Sequence, residues 1–115
     1  MSKAPRKQLV IKYSIQDQFF FACHGGDLNK VNELCTNGIQ VNQANENGTT
    51  PLNIACQNGH SKVVEILLAV DGILVNQADD DGFAPLNIAC WEGHLKVVDM
   101  LLDIKYYIRR LVYIA

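Results

Sequence analysis

The sequence has little of what marks the specialised protein classes. Its 115 residues include 3 prolines, 2 methionines, one tryptophan and 8 glycines, which excludes a collagen-like, proline-rich or low-complexity fibre. Apolar stretches are short; Val63-Val64 and Ile66 to Val70, for example, are broken by Glu65 and Asp71. None approaches the roughly eighteen residues that cross a bilayer, so no membrane span is expected. The opening MSKAPRKQLVIKYS carries basic residues but only Leu9-Val10-Ile11 as an apolar stub, so it lacks the core of a secretory leader. None of the four cysteines, Cys23, Cys35, Cys56 and Cys90, is paired at CxxC spacing. They read as reduced thiols of an intracellular chain, expected in the cytoplasm with the nucleus left open. There is also no GxGxxG, phosphate loop, serine elbow or paired-acid motif, so neither an enzyme nor a cofactor is expected.

What is present is a globular composition, 49% apolar and 19% charged, at a length suited to one domain. The formal net charge of −2 hides an arrangement. Residues 1–14 carry Lys3, Arg6, Lys7 and Lys12 with no acid, and residues 104–115 carry Lys105, Arg109 and Arg110 with no acid. All 12 acids therefore lie in 15–103, opposed only by Lys30, Lys62 and Lys96. Such a body repels phosphate, so no nucleic-acid partner is expected.

The sequence repeats itself at a fixed period of a few tens of residues, which points to a stacked-repeat architecture. Pro51-Leu52-Asn53-Ile54-Ala55-Cys56 recurs 34 residues later as Pro85-Leu86-Asn87-Ile88-Ala89-Cys90, and Gly59-His60 recurs as Gly93-His94. Lys62-Val63-Val64-Glu65 matches Lys96-Val97-Val98-Asp99, and Val41-Asn42-Gln43-Ala44 matches Val75-Asn76-Gln77-Ala78. A weaker copy, offset by 33, runs from Phe21-Ala22-Cys23 through Gly26 and Val31 to Leu34-Cys35.

Each unit has a physical reading. Pro51 and Pro85 suit the first turn of a helix, where a missing N–H costs nothing. Leu52, Ala55 and Cys56 then share a face, and Gly59 and Gly93 end these short helices. A second helix starts after His60 or His94, with Val63, Ile66 and Leu67, or Val97, Met100 and Leu101, as its apolar stripe. Gly72 is expected to close it. Lys62 with Glu65, and Lys96 with Asp99, fall on the wet face at i, i+3. Ser14 to Asp17 fits a capping box opening the first helix. Each unit is a helix pair plus loop that buries its apolar face only by stacking.

With Gly48-Thr49-Thr50-Pro51-Leu52-Asn53, Ala55 and Gly59-His60, and again Gly82-Phe83-Ala84-Pro85-Leu86-Asn87, Ala89 and Gly93-His94, the chain resembles an ankyrin-repeat protein. The resemblance implies an all-α solenoid of stacked helix-turn-helix units with projecting β-hairpin-like loops. The domain is expected over 15–103, with repeats at about 15–44, 45–78 and 79–103. A basic arm (1–14) precedes it and an apolar, basic tail (104–115) follows. Asn53 and Asn87 stand where the family has His, and Ala84 where it has Thr, so weaker polar bonding between repeats is expected. The tail loses the pattern; it is expected to extend the last helix, with an apolar docking segment, the end of a longer array, or self-association as alternatives. Asn42 and Asn76 resemble loop asparagines that asparaginyl hydroxylases modify in this family, although Gln40 and Leu74 replace the usual acid two residues earlier.

Candidate chemistry is mostly structural. Asp79-Asp80-Asp81 lacks the alternate spacing of a calcium loop, and its counterpart Asn45-Glu46-Asn47 has one acid, so turn formation is expected and no metal. His60 and His94 fit bonding to free backbone groups, since zinc would need further ligands. Cys23, Cys56 and Cys90 form a column that fits small apolar packing. The positions that change between matching copies are the ones free to specify a partner. Thr49 becomes Phe83, Gln57 becomes Trp91, Asn58 becomes Glu92, and Asn45-Glu46-Asn47 becomes the three aspartates. By the resemblance, such positions line a concave face that grips proteins. The expected contact set is Glu46, Gln57, Asn58, Asp80, Asp81, Phe83, Trp91 and Glu92, facing a protein partner with basic and apolar features. The expected function is a non-catalytic interaction module. The alternative is a regulatory or inhibitory segment of a larger enzyme or signalling protein.

Overall fold

The computed structural model describes residues 13–114, with side chains from Tyr13 to Ile104. Among these residues there are six helices and no strand: α1 (Ile15–Gly25), α2 (Leu28–Thr36), α3 (Pro51–Gln57), α4 (Ser61–Leu68), α5 (Pro85–Glu92) and α6 (Leu95–Ile114). Residues 1–12 of the basic arm and the side chains of the tail beyond Ile104 lie outside the described residues. So does the expected self-association through that tail.

The caps explain where helices start. Ser14 Oγ accepts from the Asp17 amide at 3.0 Å, Asp27 Oδ1 from Lys30 at 3.2 Å, and Thr50 Oγ1 from Asn53 at 3.0 Å. Pro51 and Pro85 occupy the first turns of α3 and α5, as their fixed φ favours. Ala84 has no oxygen to offer; Asn87 Oδ1 instead accepts from the Ala84 amide at 3.1 Å. Gly72 does not close α4, which ends at Leu68 with Ala69 as its cap; Gly72 lies in the following turn at φ +85°. In contrast, α6 passes Leu102, the counterpart of Leu68, and continues as one helix to Ile114.

First helices stack on first helices, α1 on α3 and α3 on α5, while α2, α4 and α6 stack behind them. The core follows the repeated positions. Phe19, Leu52, Val63, Val64, Leu67, Val97 and Leu101 are buried, each large side chain contributing about 1.5–3 kcal/mol. Cys23 and Cys56 belong to this core. Cys90 departs from the expected column and is exposed, because no further first helix packs on α5 among the described residues.

Polar stitches join successive units. His60 Nε2 donates to the His24 carbonyl at 2.9 Å and His94 Nε2 to the Gln57 carbonyl at 3.0 Å, the backbone-bonding role expected of both rings. Gly26 and Gly59 make room for them. A Cβ on Gly59, at φ +69°, would stand 2.6 Å from His94 Nδ1. Asn42 spans two loops, donating from Nδ2 to the Gly72 carbonyl and accepting the Leu74 amide at Oδ1, both at 2.9 Å. The expected weakening at Asn53 is not complete: its Nδ2 donates to the Gln77 carbonyl at 3.2 Å, while Asn53 Oδ1 and Gln77 Oε1 lie buried without partners. Lys62 and Glu65, like Lys96 and Asp99, are exposed and do not pair with each other; the ion pair among the described residues is Lys30–Glu33 at 3.3 Å.

Candidate functional site

Two kinds of element build the exposed face on the first-helix side. The loops before α3 and α5 are each tied by one side chain. Asn45 Oδ1 accepts the Asn47 and Thr49 amides at 2.9 and 3.0 Å, and Asp79 Oδ1 accepts the Asp81 and Phe83 amides at 3.0 and 2.9 Å. Asp79 is thus a turn former, as Asn45 is. The tips are joined by the Asp80 amide, which donates to the Asn47 carbonyl at 3.2 Å. This locking leaves Glu46, Asp80 and Asp81 exposed side by side at successive tips.

Behind the tips, the first helices present a column of His24, Gln57 and Trp91, with Phe21, Ile54 and Ile88 three residues earlier on each helix. The structure brings Gln57, Phe83, Trp91 and Glu92 together around one depression of about 170 Å³, completed by Asp79 and Ile88. Trp91 is 84% exposed and Phe83 47% exposed. Neither ring is part of the described core.

Not every expected contact residue faces the depression. Glu46, Asp80 and Asp81 stay on the loop tips outside it. Asn58 is committed elsewhere, since its Nδ2 donates to the His24 carbonyl at 2.9 Å beside the His60 stitch. It is a structural joint between repeats. Asp79 and Ile88 were not among the expected contacts; Asp79 is a member of the aspartate run, and Ile88 is identical in both full copies and so carries no signal of variation.

A second depression of about 170 Å³ lies at the other end, lined by Gln16, Asp17, Phe20, Phe21, Gln43, Ala44 and Asn45. Tyr13 meets Phe21 edge-on at 5.0 Å between ring centroids. The signal for it was the run Phe19-Phe20-Phe21: consecutive helical residues point about 100° apart, so one ring enters the core and another is left outside. Phe19 is buried, Phe20 half-buried and Phe21 exposed.

The face is electrostatically one-sided. The segments 37–61 and 71–95, which hold its loops and α3 and α5, contain Glu46, Asp71, Asp79, Asp80, Asp81 and Glu92 and no lysine or arginine. Lys30, Lys62 and Lys96 all sit on the second helices. The thiols offer no nucleophile in the core: burial pushes Cys23 and Cys56 up to about 12 and raises Cys35. No helix among the described residues is long and apolar enough to cross a membrane. The family model described as ankyrin repeats (3 copies) matches residues 19–110. No curated protein matches the chain.

Proposed function

Because this chain belongs to the ankyrin-repeat family, whose repeats are generally protein–protein interaction modules and non-catalytic, we propose that it binds a protein partner through its first-helix and loop-tip face. Phe83 and Trp91 anchor the contact. Glu46, Asp80, Asp81 and Glu92 surround them with negative charge, Gln57 and Asp79 border the depression, and Asn58 holds the α1–α3 joint beneath. The partner is a basic segment with apolar character, and the chain catalyses no reaction.

The observation that carries this reading is the exposure of two large aromatic rings around one depression, on a face whose described segments 37–61 and 71–95 hold no lysine or arginine. Interfaces concentrate their energy in a few such residues, often 2 kcal/mol or more each. Stacking supports the role physically, because backbone already held by a packed helix at Trp91 and by the Asp79-tied loop at Phe83 loses little further entropy on binding. A lysate pull-down comparing the wild type with a Phe83→Ala, Trp91→Ala double variant tests it, folding being verified by helical circular dichroism. The partner is expected only with the wild type. A partner retained by the folded variant would sink the assignment.

A further inference from the structure

We infer that the depression bordered by Phe83 and Trp91 takes one arginine side chain of the partner. The inference rests on the interaction reading above and narrows it to a chemical group. Two aromatic rings and Ile88 supply apolar and π surface, while Asp79 and Glu92 supply two carboxylates at the edge of the same depression. A neutral apolar side chain would leave both acids without counter-charge, and an anion would be repelled by them and by the neighbouring tips. A cation satisfies both halves of the lining: its charge is attracted to the ring faces and to the carboxylates. The end of α5, at Glu92, adds the partial negative charge of a helix C-terminus.

Arginine rather than lysine follows from how open the site is. With Trp91 84% exposed, a bound cation keeps contact with water. A compact ammonium holds its hydration tightly and gains little from an exposed ring. A guanidinium is flat and weakly hydrated, lies on an aromatic face, and still turns its N–H edge towards carboxylates. One oxygen of Asp79, Oδ1, accepts two backbone amides, which fixes the carboxylate in place; Oδ2 takes no part in that turn. The positioning is therefore built into the loop before any ligand arrives.

Trp91 is the one tryptophan of the chain, so its emission reports the site directly. The test titrates the protein, at about 0.15 M salt, with three capped pentapeptides that differ only at the centre: Gly-Ala-Arg-Ala-Gly, its lysine counterpart, and its citrulline counterpart, which has nearly the arginine shape without the charge. Arginine is expected to give a saturable change in emission with affinity about tenfold above lysine, and citrulline none. Glu92→Gln should weaken the arginine peptide about tenfold. Glu65→Gln, on the opposite helix, should bind like the wild type. Equal response to arginine and lysine would reduce the site to diffuse charge attraction and overturn the inference, as would an equal citrulline response, an indifferent Glu92→Gln variant, or no change in emission. Those failures leave the wider reading intact where the lysate partner still depends on Phe83 and Trp91. Loss of that dependence overturns the wider reading whatever the peptides do.

Discussion

Replacing Gly59 with alanine probes the joint between the second and third repeats. Gly59 sits at φ +69°, where an alanine pays about 1 kcal/mol or somewhat more for the left-handed conformation. Its new Cβ would also stand 2.6 Å from His94 Nδ1 and 2.7 Å from Cε1, closer than real contacts allow, so the ring must swing away. That movement breaks the His94 Nε2 bond to the Gln57 carbonyl, a further cost of about 1 kcal/mol. The expected loss is about 2–3 kcal/mol. Gly38 provides the control: its φ of +82° is similar, but a Cβ there would meet nothing within 4 Å, so Gly38→Ala carries only the conformational cost. Urea unfolding followed by circular dichroism measures both. In a His94→Ala background, Gly59→Ala should cost no more than Gly38→Ala. Equal losses for Gly59→Ala and Gly38→Ala with His94 present would refute the stitch as a source of stability.

Other consequences are equally open to measurement. Asn42→Ala removes two bonds between loops and should destabilise the array by about 2 kcal/mol in the same urea assay, against no change if those bonds merely replace water. Ala84→Thr supplies the cap oxygen that Thr50 supplies one repeat earlier and should raise stability by about 1 kcal/mol. In the native protein at pH 8 a thiol reagent should modify exposed Cys90 first, with Cys23 and Cys56 reacting only on unfolding; simultaneous reaction would contradict the burial. The two buried thiols also set a pH dependence. Their folded values, about 12, lie above the ordinary 9.0, so their contribution is complete below pH 9 and is lost as pH rises towards 12. A Cys23→Ala, Cys56→Ala variant should show a shallower fall of urea midpoint between pH 9 and 11 than the wild type.

The stack was legible because its determinants are local and repeated. Pro51 and Pro85 mark helix starts, the Gly-His pairs mark the joints, and Leu52, Val63, Val97 and their kin mark the core. What escaped depends on side-chain direction. Asn58 and Gln57 are neighbours that both vary between copies, yet one amide turns to the His24 carbonyl and the other borders the depression. Only the packing of α1 against α3 decides between them. Asn53 likewise replaces a family histidine but still reaches the Gln77 carbonyl, since the loop of the next repeat lies within range of a shorter side chain. The i, i+3 spacing of Lys62 and Glu65 did not yield an ion pair, because exposed partners gain little from holding one rotamer. Ile88 was hidden by its identity with Ile54: variation marks what distinguishes a site, not the invariant floor on which it rests.

On the proposed function the partner meets the first-helix face and not the second-helix face. Site-specific photo-cross-linking tests it most directly, with a benzophenone amino acid at Gln57 in one sample and at Lys62 in another; both positions are exposed and lie on opposite helices of one repeat. The captured partner should be cross-linked from position 57 and not from position 62. Adducts from position 62 alone, or from both positions equally, would contradict the account.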